Sequence, residues 1–157
     1  MPVIVRSLTI RATPAAVWAV LIDLDRQPTW MHDLKAVVRA APGPVAVGFR
    51  AVGRVRMFGV TQDDPIEVTD LEPGRHYGLR HEGAFSGRGD LWLEPLPGGG
   101  MTRVTWREEL HPRAAALGLP AALDPLLDRA ASAFSPAFAW IFRADLRRLR
   151  DVVVSAR

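Results

Sequence analysis

Hydrophobic and polar positions alternate through most of the chain, with helical spacing in a short stretch after the first segment and in a long one near the end. Val3 to Ile10 is β-branched and partly alternating, which predicts a first strand. It stops at Arg11-Ala12-Thr13-Pro14, where Thr13 suits an N-cap and Pro14 the first helical position. Val17, Leu21 and Leu24 then recur at helical spacing, with Trp18 and Ile22 beside them. Pro28 is read as an interruption, with Trp30-Met31-His32 in a short helix or loop. From there to Leu110 the pattern predicts six strands: Leu34–Ala40, Val47–Phe58, Pro65–Leu71, His76–Glu82, Gly87–Pro95 and Thr102–Leu110. The gaps carry turn residues: Pro42-Gly43-Pro44, Asp63-Asp64-Pro65, Pro73-Gly74 and Pro97-Gly98-Gly99-Gly100. Gaps this short favour hairpins over crossover helices.

Ala114 to Ala133, rich in Ala and Leu but broken by Pro120 and Pro125, reads as interrupted helical turns. Phe134, Phe138, Phe142, Leu146, Leu149 and Val153 then form an apolar stripe, with Arg143, Arg147 and Arg150 on another face. The expectation is one long helix from near Phe134 to about Val153. Together these elements predict an α+β fold. One helix covers only part of a strongly bent sheet, so an apolar cavity should remain between them.

Composition narrows the picture. A length of 157 residues fits a single domain spanning 1–157, and the content of 48% apolar and 24% charged residues suits a globular core. With no cysteine, disulfides and thiolate chemistry are excluded. The four histidines have no i, i+4 spacing or paired acidic ligands, so no metal and no other cofactor is expected. Net charge is only +3, and most arginines are scattered among apolar residues with no concentrated basic face, so nucleic-acid binding is not expected. Lys35 is the only lysine, which suggests a GC-rich bacterial genome. The chain shows neither a signal-like start nor an apolar run of about 18 residues that could span a bilayer, so the cytoplasm is the expected location.

Several motifs resemble the START-like superfamily, the polyketide cyclase/dehydrase and lipid-transport proteins. They are Pro14, Val17-Trp18, Leu21, Asp23, Asp25-Arg26 and Trp30, then Val68-Thr69-Asp70, Pro73-Gly74-Arg75, Glu94-Pro95 and Thr102-Arg103-Val104-Thr105-Trp106. The resemblance runs from Ser7 to the C-terminal helix. It implies a helix-grip fold: seven antiparallel strands wrapped around the long helix, with two short helices after the first strand. It also implies a deep cavity for a hydrophobic small molecule, and it leaves the reaction open, because the superfamily includes carriers, receptors, cyclases and protein-interaction modules.

Strand alternation sorts side chains by face. Phe49, Ala51, Val55 and Met57 share the inward parity of one strand, Tyr77 and Leu79 that of another, and Val104, Trp106 and Leu110 that of the last. His81 and Glu108 fall on those same inward sets. The predicted cavity lining is Phe49, Met57, Tyr77, Leu91, Trp106 and Phe138, with Trp30 as a further ligand-facing aromatic. Glu108 and His81 are the candidate catalytic pair, because a carboxyl in an apolar cavity suits proton transfer and an imidazole can shuttle a proton or hold a ligand oxygen. The alternative for both is structural: Glu108 paired to an arginine at the rim, His81 in water at a strand end. Asp23 and Asp25 read as caps or salt-bridge partners. Trp92 should face outward, at a homodimer contact or under a neighbouring loop. Three functions stay open: a binder of a lipid-, polyketide- or isoprenoid-like molecule, a polyketide cyclase/dehydratase, and a toxin-like or chaperone-associated interaction module.

Overall fold

The computed structural model of the protein describes residues 3–57 and 59–156. Phe58, the last residue of one predicted strand, and Met1-Pro2 at the start lie outside the described residues. Seven strands form one antiparallel sheet in the order β1-β7-β6-β5-β4-β3-β2. They are β1 (Val3–Ile10), β2 (Leu34–Arg39), β3 (Arg50–Met57), β4 (Val60–Glu72), β5 (His76–Glu82), β6 (Phe85–Pro95) and β7 (Thr102–Pro112). Helices α1 (Pro14–Leu21) and α2 (Gln27–Trp30) link the two edge strands, so the chain passes from one side of the sheet to the other before the meander β2 to β7 begins. Two 3-10 turns and α3 (Asp124–Ala133) follow β7, and α4 (Ser135–Ser155) closes the fold. The helix-grip expectation holds.

Local chemistry explains these boundaries. Thr13 caps α1 by accepting the Ala16 N–H, and Pro14 opens the helix where no N–H is needed. Pro28 likewise sits in the first turn of α2, which opens at Gln27, so it lies within a helix, and this corrects its reading as an interruption. The α4 stripe buries Phe138, Phe142, Leu146, Leu149 and Val153 against the sheet, and α4 packs on β1, α1 and α2. Thr102 Oγ1 donates to Ala12 O at 2.7 Å, joining the start of β7 to the end of β1.

One turn falls elsewhere than expected. Asp63-Asp64-Pro65 lies inside β4, and the β3–β4 hairpin closes at Gly59, whose φ of 84° suits a tight turn. Proline is tolerated because Val68 directs its N–H and C=O towards Phe49 and Gly48, on the β3 side, so Pro65, of opposite parity, directs its nitrogen towards the β5 side. The β4–β5 ladder begins only at Ile66↔His81, one residue beyond Pro65. A bulge between Val68 and Asp70 lets Val68 and Leu71 both pack inward, which strict alternation forbids. Val47 and Gly48 form a turn before β3, so the strand begins later than expected.

The opposite face of the sheet is polar. Asp90 is buried there beneath Arg88 and His76, with Arg88 Nε at 2.8 Å and His76 Nε2 at 2.8 Å. Trp92 faces outward as expected, stacked on the His76 ring at 5.0 Å with the planes 7° apart.

Candidate functional site

Between the sheet and α4 lies a cavity of about 120 Å³. Space for on the order of ten water-sized groups follows from about 10–15 Å³ each. Aliphatic side chains from β2 to β5 form one wall, and Trp30, Tyr77, Phe85, Trp106 and Phe142 supply the rings. Trp106 lies 4.6 Å from Phe142 and edge-on to Trp30 at 6.1 Å.

Of the predicted lining, Trp30, Met57, Tyr77, Leu91 and Trp106 reach the cavity, as do His81 and Glu108. Phe49 and Phe138 do not. Phe49 sits before β3, under the Arg39 guanidinium at 5.9 Å, because the strand starts at Arg50. Phe138 is buried one turn too early on α4 and packs edge-on against Phe85 at 6.1 Å; Phe142 takes the expected place.

The polar end of the cavity is a chain of three side chains from β4, β5 and β7. His81 Nδ1 lies 2.6 Å from Asp64 Oδ2, and His81 Nε2 lies 2.8 Å from Glu108 Oε1. The first contact is a hydrogen bond and the second an ion pair. Glu108 Oε2 accepts the Trp106 indole N–H at 2.7 Å. Strand register brings the group together: His81 pairs with Ile66, two residues from Asp64, while Gly89 of β6 pairs with Glu108. Gly89 also makes room, since a Cβ there would meet Glu108 Oε2 at 2.8 Å. The structural alternatives for both residues, an arginine partner at the rim and a strand end in water, do not describe this arrangement. Among the described residues, no group of three His, Asp or Glu side chains is placed to hold a metal ion.

Both imidazole nitrogens of His81 face carboxylates, an arrangement that only the doubly protonated ring satisfies with two donors. Burial pushes the imidazole down, but the Glu108 charge and the Asp64 hydrogen bond outweigh it and raise its pKa to about 10. A second acidic group lies nearby. Asp145 of α4 is fully buried and accepts the His32 backbone N–H at 2.9 Å. Burial lifts its carboxyl to about 7, with the neighbouring Asp33 adding in the same direction. Asp33, on the cavity wall, is also raised, chiefly by burial, and Glu108 adds to the effect. Tyr77 is raised to about 12 by burial.

These shifts set a pH dependence. Between about pH 4 and 7 the folded protein holds the Asp145 proton that the unfolded chain has lost. Between about 6.5 and 10 the same is true of His81. In both windows the native state binds more protons, so stability falls as pH rises, by at most about 1.4 kcal/mol per pH unit for each group. Below about pH 4 the order reverses at Asp90, whose carboxyl is held low: burial opposes this, but Arg88 and His76 prevail. Urea unfolding should therefore show greater stability at about pH 5 than at about pH 9. Asp145→Asn should flatten the acidic part of that slope and leave the alkaline part; an unchanged profile would refute the assignment.

The sequence profile described as polyketide cyclase / dehydrase and lipid transport matches residues 1–154. No curated protein matches the chain. Solved structures of similar fold include a protein from Thermus thermophilus (17% identity, 99% of each chain covered, TM-score 0.74). The Zhui aromatase/cyclase from Streptomyces is also similar (16% identity, 97% of this chain and 93% of that one, TM-score 0.72). So is a START superfamily protein from Mycobacterium smegmatis (14% identity, 92% of this chain and 97% of that one, TM-score 0.62). At these identities the likeness concerns the fold.

Proposed function

The chain belongs to the polyketide cyclase/dehydrase and lipid-transport family, and we propose that it binds an apolar small molecule in the cavity between its sheet and α4. The carrying observation is the combination of apolar walls with a few buried polar groups at defined places, the usual character of a small-molecule site. Trp30 Nε1 is buried at the cavity without a hydrogen-bond partner, and Tyr77 Oη, also buried there, makes no well-formed hydrogen bond and has only the Gln27 side chain beside it. Such donors are costly unless satisfied, and an oxygen of a bound molecule would satisfy them. Mass spectrometry of molecules released from the purified protein tests this reading, together with titration of an apolar probe. Val55, half-buried on the cavity wall, is the position to block: Val55→Trp should weaken probe binding about tenfold or more by filling space the probe needs. Undiminished binding in a folded Val55→Trp protein would place the probe elsewhere.

A second reading, acid/base catalysis on a polyketide-like substrate, draws on the Asp64–His81–Glu108 chain. In that reading His81 is the proton donor at neutral pH, Glu108 holds its charge in place, and Asp64 orients the ring. Turnover that disappears in Glu108→Gln while apolar binding persists would favour it over simple carriage.

A further inference from the structure

We infer that the cavity selects apolar molecules carrying a protonated amine, seats that amine against Glu108 and Asp33, and rejects the same molecule ending in a carboxylate. The inference rests on the binding reading above and names the ligand's polar end.

The walls are lopsided in charge. Nineteen arginines and one lysine make up the basic residues, yet among the described residues none of them lines the cavity. Three carboxyl groups do: Asp33, Asp64 and Glu108. The single base among them, His81, is already held between Asp64 and Glu108. A ligand carboxylate entering this space would meet three acidic groups and no free cation. An ammonium would meet the reverse, joining His32 and Lys35, which already act on Asp33 from outside the lining against the smaller repulsion of Glu108.

The acceptors have capacity to spare. Glu108 is 4% exposed; its Oε1 faces only His81 Nε2 and its Oε2 accepts only from Trp106, and each carboxylate oxygen can accept more than one hydrogen bond. Asp64 Oδ1 is buried without a hydrogen bond. Trp30, Trp106, Tyr77 and Phe142 surround the same space, and a cation gains from aromatic faces as well as from carboxylates. A neutral hydroxyl could donate to Glu108, but it would not gain the charge-assisted part of that bond.

Three ligands with one tail separate these possibilities: octylamine, 1-octanol and octanoate, titrated at about pH 7 below their aggregation limits and followed by tryptophan fluorescence and calorimetry. At that pH an alkylamine is protonated, since such amines have pKa values near about 10.4. Octylamine should bind about tenfold or more tightly than 1-octanol, with octanoate weakest. Glu108→Gln and Asp33→Asn should each shrink the amine-to-alcohol affinity ratio about threefold or more. Asp33→Asn and the unmodified protein still decide the matter if Glu108→Gln does not fold. Octanoate binding as well as octylamine, or an amine advantage untouched by both variants, would overturn the amine preference and leave the apolar cavity standing. Failure of all three ligands to bind would overturn the cavity reading with it.

Discussion

Gly87→Ala should cost more than about 4 kcal/mol, enough to leave little folded protein given the roughly 5–15 kcal/mol that holds a domain together. Gly87 has φ of 151°, outside the range that side-chain-bearing residues readily adopt. A Cβ at this position would lie 1.7 Å from the Glu109 carbonyl oxygen and 2.8 Å from its carbon. Those atoms are backbone of β7, paired with β6 along the ladder that joins Phe85–Pro95 to Thr102–Pro112. They cannot move without parting the two strands that carry Gly89, Trp106 and Glu108. Gly98→Ala is the control: φ is also positive there, at 93°, but no atom lies within 4 Å of the added carbon. It should cost only the backbone strain, about 1–3 kcal/mol. Urea denaturation of both variants checks the contrast, and equal stabilities would show that β6 and β7 yield more easily than their register suggests.

How far the site could be read from the sequence depended on whether each strand kept its period. β7 pairs with β1 and β6 without a break, so Trp106, Glu108 and Leu110 fell on the inward face as alternation requires. His81 followed for the same reason, since β5 pairs continuously with β6. Asp64 was missed because Asp-Asp-Pro resembles a turn. The signal that could have found it is its parity with Ile66 and Val68, with proline placed just past the end of a ladder. Exchanging Phe138 for Phe142 is a different kind of failure. Both belong to one apolar stripe, and the seating of α4 on β1, not its period, decides which ring reaches the cavity. Asp145 left a plainer mark: it sits three residues after Phe142 and four before Leu149, an acid on the buried face of an otherwise apolar helix stripe.

Removing Glu108 should be nearly as damaging as crowding Gly87, by an electrostatic route. Glu108→Ala takes away the carboxylate beside His81 and the acceptor of the Trp106 indole N–H. His81 then keeps only Asp64, and the Trp106 N–H is buried with nothing to donate to. Breaking one side of a buried ion pair costs about 3–5 kcal/mol, because the surviving charge stays out of water without its partner. Glu108→Gln should cost less, about 1–3 kcal/mol, since the amide oxygen still accepts from Trp106 and the volume is kept. The two variants thus separate charge from shape. The Glu108 charge is the foremost influence raising the His81 pKa, against burial, which lowers it. Without that charge the ring should lose its proton at a lower pH, and the fall in stability between about pH 6.5 and 10 should flatten in both variants. Adding His81→Ala to Glu108→Ala should cost less than the sum of the two single changes, because the second removes the charge that the first left stranded. Strict additivity, with an unaltered alkaline slope, would mean that Glu108 and His81 lie side by side without depending on each other.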